Sequence, residues 1–136
     1  MAKKQSAFTL IELLVVIAII GILAGITFTA VRRARTTALD GRIIAEMDQI
    51  RSLAESYYLS NNSSYTNFCS NADLTNLQTD ITKQGGTSFG CYTDGSKYCV
   101  EVKLNSGNYW CVDSGITSKM YTSDPACAAT HFTCEP

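Results

Sequence analysis

The sequence predicts an α+β protein, in which one long N-terminal helix packs against a small antiparallel sheet that disulfides hold together. Three observations support this prediction. A continuous apolar run near the N-terminus passes into a stripe of apolar residues with helical spacing. Apolar and polar residues alternate near position 100, which is typical of a half-buried strand. The chain also has six cysteines among only 136 residues.

The apolar run comes first along the chain. Residues 13–31 read LLVVIAIIGILAGITFTAV and contain no charged side chain. As a helix these roughly 19 residues would rise about 28 Å, which is close to the thickness of a bilayer's hydrocarbon core. A secretory signal peptide would have a shorter apolar region closed by a small-residue cleavage site. Three arginines (Arg32, Arg33, Arg35) follow instead, so we interpret the run as a membrane span.

The helix is predicted to continue beyond the span. Apolar residues recur there at spacings of three or four, which gives one apolar stripe. The stripe consists of Leu39, Ile43, Met47, Ile50, Ala54 and Tyr57. We place Asp40 and the other charged residues of this stretch on the remaining faces. The polar cluster at 61–64 ends the pattern, so we expect one helix over about 8–60, apolar on all sides over 8–31 and on one side over 32–60.

The remaining residues, 61–136, are predicted to form a globular domain. We expect residues 61–96 to be irregular, apart from a short helix near 73–81. The alternation at 98–104 predicts a strand, and after a turn the segment 109–113 returns as a second strand. Met120 and Tyr121 are candidates for a third strand.

Pairing of the two strands predicts which face is buried. If Val100 lies beside Val112, that face packs on the helix, and Cys99 and Cys111 share the opposite face. A short turn would set these two cysteines diagonally, and disulfide geometry tolerates little offset.

The cysteines indicate an oxidising compartment, because disulfides persist in exported domains whose cores are small. Six cysteines allow 15 connectivities, and the sequence does not choose among them. We expect neighbours to pair, as Cys69–Cys91, Cys99–Cys111 and Cys127–Cys134.

Glu12 does not fit an ordinary membrane anchor. A carboxylate at the bilayer centre costs roughly 2.5–3.5 kcal/mol, which makes an intramembrane charge a candidate functional residue. The alternative is that Glu12 lies near the interface and reaches water.

The run AFTLIELLVVIAIIGILA, residues 7–24, resembles the N-terminal signature of type IV prepilins and type II secretion pseudopilins. The resemblance implies a leader over 1–7 that a prepilin peptidase removes between Ala7 and Phe8, methylating the new amine of Phe8. It also implies that Phe8 and Glu12, the fifth residue of the mature chain, act in filament assembly. Ala7 stands where the family usually has Gly, so we expect slower cleavage.

The resemblance further implies a structural role and a set of partners. The partners would be further copies of this chain, the prepilin peptidase and an assembly machine driven by an ATPase. The precursor would lie in the plasma membrane and the mature chain in an extracellular filament. Counting basic residues would place the C-terminus in the cytoplasm, but the cysteines and the signature favour the outside.

Within the family a major pilin of an adhesive or twitching pilus is favoured. A minor pilin, a secretion pseudopilin and a DNA-uptake pilin stay open. An alternative of another class is a membrane-anchored extracellular binding domain that never polymerises. Such an anchor would need neither Phe8 nor Glu12.

Gly21 and Gly25 match the small-xxx-small pattern that lets membrane helices approach closely. We therefore expect helix packing at these two positions, although glycine is common in membrane spans.

Other chemistry is less well supported. Cys127, His131 and Cys134 are residue types that bind zinc, but a fourth ligand with matching spacing is missing, so we expect no metal and no cofactor. His131 is the only histidine, and no catalytic motif surrounds it, so we expect no enzyme. The net charge of −1 does not favour nucleic-acid binding.

Overall fold

The computed structural model describes residues 8–134; the predicted leader, with Ala7, lies outside the described residues. The chain divides into two compact units. We call residues 8–35 the N-terminal unit and residues 36–134 the C-terminal unit. The elements in order are α1 (Leu10–Ser60), a 3₁₀ turn (Phe68–Ser70), α2 (Ala72–Lys83), β1 (Thr87–Thr93), β2 (Tyr98–Lys103), β3 (Tyr109–Asp113) and β4 (Ser118–Tyr121).

Helix α1 is continuous over 51 residues, close to the predicted 8–60. Its part in the C-terminal unit buries one face, as the apolar stripe predicts. The buried residues are Asp40, Ile43, Met47, Ile50 and Ala54. Asp40 corrects the sequence interpretation, which placed it on another face. The spacing of three between Asp40 and Ile43 was the available signal.

The four strands form one antiparallel sheet in the order β1-β2-β3-β4. Val100 lies opposite Val112, the pairing considered in the sequence, and Val102 lies opposite Trp110. Tyr98, Val100, Val102 and Val112 are fully buried in the same core cluster as the apolar face of α1. The predicted fold class is therefore confirmed: a long helix packs on an antiparallel sheet, and three disulfides cross-link the unit.

Strand β1 was not predicted, because residues 61–96 were expected to be irregular outside one short helix. The register shifts between Thr87 and Gly90, so the alternation of period two is interrupted. A Cβ at position 90 would lie 2.9 Å from the Tyr92 ring and 3.2 Å from the Glu101 side chain. Glycine therefore fits a close approach there, although it weakens the strand signal.

Two of the three expected disulfides are wrong. The structure joins Cys69 to Cys91, with 5.7 Å between the Cα atoms, which is the first expected pair. The other two bonds are Cys99–Cys127 and Cys111–Cys134, each with 5.8 Å between the Cα atoms. They replace the expected pairs Cys99–Cys111 and Cys127–Cys134.

The register explains this difference. Cys99 lies opposite Asp113, and Cys111 lies opposite Glu101, so the two strand cysteines are diagonal neighbours rather than a facing pair. The tail reverses direction through a bridge between Ala128 and His131. Each tail cysteine thus bonds to a different strand.

Candidate functional site

The first turn of α1 is closed by a pair of side chains. Thr9 lies just before the helix, and its carbonyl oxygen accepts from the amide of Leu13 at 3.4 Å. The Glu12 Oε2 accepts from the Thr9 amide at 2.8 Å and from the Thr9 hydroxyl at 2.7 Å. The Glu12 amide donates back to the Thr9 Oγ1 at 3.4 Å. This reciprocal arrangement is a capping box.

Thr9 is a residue that the sequence analysis missed. The available signal was the spacing Thr-x-x-Glu directly before an apolar run. Glu12 therefore has a local role in starting the helix, besides any role between subunits. An ionised carboxylate offers about four acceptor sites, so the cap leaves capacity for a cationic partner. Phe8, next to the cap, is 82% exposed.

The apolar run that follows is exposed. Its large side chains are exposed from Leu10 to Val31, and none of its most apolar stretch is buried. By length and composition, Leu10–Ser60 is long and apolar enough to cross a membrane. A contiguous apolar surface of this size requires an apolar environment, because its exposure to water is unfavourable.

The polar groups within the run are satisfied by the helix itself. The Thr27 hydroxyl donates to the carbonyl oxygens of Leu23 and Ala24 at 3.1 and 3.0 Å. The Thr29 hydroxyl donates to the Ile26 carbonyl oxygen at 3.0 Å. Internal satisfaction of polar groups is what a helix in a hydrocarbon environment requires.

Gly21 and Gly25 leave an open patch on the helix surface. A Cβ added at either position would meet nothing within 4 Å. The structure places both glycines four residues apart in α1. Their predicted role in helix packing stays a prediction.

In the C-terminal unit, Asp40 connects α1 to the turn between β2 and β3. Its Oδ1 accepts from the Asn105 amide at 2.8 Å and from Asn105 Nδ2 at 3.1 Å. Its Oδ2 accepts from the Ser106 amide at 3.1 Å. Asp40 is buried, so these three bonds compensate a charge that has little contact with water.

Two further carboxylates hold the tail on the sheet. The Cys127 amide donates to Glu101 Oε2 at 3.2 Å, and the Cys134 amide donates to Asp113 Oδ2 at 2.7 Å. Burial, and then the nearby Asp124, raise the pKa of Glu101 to about 7.

The residues considered as zinc ligands are only partly brought together. Cys127 and Cys134 lie in one buried cluster with Cys99 and Cys111, and the four sulfurs are within 4.8 Å of one another. His131 does not belong to this cluster, and its Nε2 lies 3.1 Å from the Thr133 hydroxyl. The cluster could not be found from sequence spacing, because the sheet register brings its members together.

The fold and the capped apolar helix define a class of protein. The family model described as "Prokaryotic N-terminal methylation motif" matches residues 2–28, the segment that contains the cap and much of the apolar run. The N-terminal segment of the chain thus resembles the segments that carry this motif.

A similar protein identifies the family within that class. The chain is 32% identical over 108 residues to the type IV wide pilus major component PilA4 of Thermus thermophilus, covering 79% of this chain and 80% of that protein. The chain belongs to the type IV pilin family. No solved structure matches it.

Proposed function

We propose that this chain is the major structural subunit of a type IV pilus. It would polymerise through α1 after its leader is cleaved before Phe8. One observation carries the proposal: the exposed apolar run of α1 begins with a carboxylate that has acceptor capacity left. Other copies of the same helix would supply the missing apolar environment in the filament, as lipid does for the precursor.

Glu12 would direct this packing by charge. Cleavage exposes an amine on Phe8, and methylation keeps its positive charge. In a filament core of low dielectric, the attraction between that amine and the Glu12 carboxylate of a neighbour is much stronger than in water. A subunit out of register would bury both charges unpaired, which is strongly unfavourable.

The major role is favoured over the alternatives by the similarity to PilA4, which is named as a major component and of which the chain covers four fifths. A minor pilin or a secretion or DNA-uptake pseudopilin would use the same N-terminal chemistry. Residues 8–31 would form the membrane and assembly part, residues 32–60 the helix under the sheet, and residues 61–136 the outer domain. The precursor would lie in the plasma membrane and the filament at the cell surface.

The capping box makes a sharp experiment possible, because charge and capping can be separated. Glu12→Gln keeps an oxygen that can accept from Thr9 but removes the charge. Thr9→Val removes the hydroxyl of the cap and keeps the carboxylate. We expect Glu12→Gln to lower the yield of sheared filaments by about tenfold or more, as loss of a charge pair worth more than about 1.4 kcal/mol would. We expect Thr9→Val to change the yield by about fivefold or less, because a cap contributes about 0.5–1 kcal/mol here.

Both variants should reach the membrane in the same amount as the parent, measured by blotting of membrane and sheared fractions. Normal filaments from Glu12→Gln would overturn the role of the charge. Equal losses from both variants would show that Glu12 acts only as a cap.

Processing and polymerisation are tested on the sheared material itself. We expect an intact chain that starts at a methylated Phe8 and is six hydrogen atoms lighter than the reduced mass, because three disulfides are formed. A chain that is found only in membranes would support the anchored binding domain instead. Abundance in the filament separates a major from a minor subunit.

A further inference from the structure

Ile116, in the turn between β3 and β4, has a backbone conformation that is unfavourable for its residue type. Its side chain is 75% exposed and its φ is 70°, a left-handed conformation that is an outlier for a β-branched residue. In the turn between β2 and β3, by contrast, Gly107 has the positive φ, 91°. The turn around Ile116 is held by Asp113, whose Oδ1 accepts from the Gly115 and Thr117 amides at 2.8 and 3.1 Å. The isoleucine side chain is therefore unfavourable where it stands and is not needed to hold the turn.

Gly41, at an exposed position of α1, is a second residue that its own element does not favour. Glycine inside a helix is less favourable than alanine, yet a Cβ at this position would meet nothing within 4 Å. The fold of the single chain therefore does not require glycine there. The missing side chain leaves room in a surface cavity of about 330 Å³, which Ile44, Leu104 and Met120 also line. We call it the Gly41 cavity.

The Gly41 cavity suits an aliphatic side chain. Leu104 in it is almost fully buried, and Met120 is 51% exposed; a methionine side chain is flexible and adapts to the shape of its partner. Ser106 and Asn108 also contribute to the lining, as does Asp40. Both oxygens of Asp40 already accept from the turn between β2 and β3, so an apolar occupant would not deprive this buried carboxylate of its hydrogen bonds.

Ile116 and the Gly41 cavity lie at opposite ends of the C-terminal unit. Ile116 belongs to the turn after β3 and Leu104 to the turn before β3, and successive turns of an antiparallel sheet lie at opposite ends of its strands. Along α1, Ile116 lies at the level of Glu55, with which it lines another cavity. Glu55 is 14 residues after Gly41 in this helix, which corresponds to about 21 Å. Ile116 cannot fill the cavity of its own chain, but it can meet that of a copy displaced along α1.

We propose that Ile116 of one copy inserts into the Gly41 cavity of the next copy along the filament. This contact rests on the proposed function, because it joins neighbouring subunits of one polymer. It uses two different surfaces of the same chain, so it does not close on itself and repeats along the filament. Insertion removes an exposed aliphatic side chain from water, which offsets the local cost of both Ile116 and Gly41.

Two substitutions separate the contact from the fold, because neither should weaken the single chain. Asparagine adopts the left-handed conformation more readily than isoleucine, and leucine is a better helix former than glycine. For Ile116→Asn and for Gly41→Leu, the urea midpoint of the full-length chain in detergent micelles should equal or exceed that of the parent. Sheared filaments of either variant should release subunits at least about tenfold faster at a fixed temperature, as loss of one buried aliphatic side chain would.

Matched controls keep the chemistry and move it away from the contact. Ile116→Val keeps a branched apolar side chain at the same position, and its filaments should release subunits at close to the parent's rate. Gln49→Leu adds a leucine at another exposed position of α1, outside the lining of the Gly41 cavity. Its filaments should also behave like those of the parent.

Photochemical cross-linking identifies the occupant of the cavity. With a benzophenone amino acid in place of Ile116, irradiated filaments should give dimers whose link maps to a peptide that contains Gly41, Leu104 or Met120 of the other copy. The same probe in place of Leu59, which is 79% exposed on α1 and does not line the cavity, should not give this link.

Release at the parent's rate from either Ile116→Asn or Gly41→Leu filaments would overturn the contact. A link from position 116 to another region of the chain, or to a different molecule, would overturn it as well. Failure of the proposed function has a different signature, because the parent itself would then give no sheared filaments. That result would refute the polymer and, with it, the contact.

Discussion

The two parts of α1 have the same secondary structure but opposite surroundings. Ile20 in the N-terminal unit is 58% exposed, whereas Ile50 in the C-terminal unit is fully buried. The first part is apolar on all sides and exposed, while the second part is apolar on one side and buries that side in the core of the C-terminal unit. The comparison teaches that one continuous helix can complete the core of its own chain over one half and leave its apolar side chains exposed over the other.

Substituting one isoleucine in each part of α1 should give the largest difference in stability between the two parts. Ile50→Ala should lower the free energy of unfolding of the C-terminal unit by about 2–5 kcal/mol, because it leaves a cavity in a packed core. Ile20→Ala should change it by less than about 0.5 kcal/mol, because Ile20 lies outside that core. Urea unfolding followed by Trp110 fluorescence measures both. Similar losses from the two variants would mean that the two parts of α1 are not energetically separate.

The next largest loss in the free energy of unfolding is expected from substitution of Asp40, the buried acidic residue of α1. Asp40→Ala should cost about 1–3 kcal/mol, because it removes the buried carboxylate that accepts three hydrogen bonds from the β2–β3 turn. Asp48 is the control on the same helix, since it accepts one exposed bond from the Ser118 hydroxyl at 2.9 Å. Asp48→Ala should cost less than about 1 kcal/mol in the same urea titration. A small effect at Asp40 would contradict its role in holding the turn.

Glu101 is expected to make the stability of the C-terminal unit depend on pH. Its pKa is raised from 4.5 to about 7 in the folded chain, so the folded state binds the proton more tightly than the unfolded state. This contribution to stability is fully present below about pH 4.5 and is lost as the pH rises to about 7.

The measurement is urea unfolding at several pH values between about 4.5 and 7. Glu101→Gln keeps an acceptor for the Cys127 amide. In this variant the free energy of unfolding should change little with pH across this window. Glu55→Gln, at an exposed site on α1, should leave the pH dependence of the parent unchanged. A parent whose stability does not fall across the window would refute the assignment to Glu101.

Substitutions that remove a single hydroxyl group are expected to change the free energy of unfolding least. In the N-terminal unit the hydroxyls of Thr27 and Thr29 bond to their own helix, whereas the Tyr57 hydroxyl donates to the Thr66 carbonyl oxygen across the fold at 2.6 Å. The Tyr98 hydroxyl is buried and has no hydrogen-bond partner among the described residues. Tyr57→Phe should therefore cost about 1 kcal/mol, and Tyr98→Phe should cost nothing or stabilise by up to about 1 kcal/mol. Thermal unfolding of the two variants side by side tests the pair, and a clear loss at Tyr98 would reveal a missed partner.

The elements with strong periodicity could be predicted from the sequence. The apolar run, the stripe from Ile43 to Ala54 and the alternation around Val100 each gave the correct element, because burial on one face imposes the period of the helix or strand. The same rule indicated which face of β2 and β3 is buried, whereas their exact register came from the structure. At the N-terminus, the signature around Glu12 was sufficient to indicate the family.

The features that were not predicted from the sequence depend on contacts between residues far apart in the chain. Strand β1 was missed because its register shift at Gly90 interrupts the alternation. The burial of Asp40 was missed because its partners lie in a turn 65 residues away. The two disulfides were misassigned because nearness in sequence is a poor guide when the tail folds back over diagonal strand positions. The Thr9 cap was visible in the sequence but was not interpreted.

The corrected disulfides have a consequence for resistance to proteolysis. The loops closed by Cys99–Cys127 and Cys111–Cys134 overlap, so every peptide bond from residue 99 to residue 134 is spanned by at least one cross-link. The third bond spans residues 69–91 in the same way. A single cut in any of these loops would nick the backbone without releasing a fragment. Between the cross-linked loops, the short stretch 91–99 lacks this protection, and it contains the turn between β1 and β2.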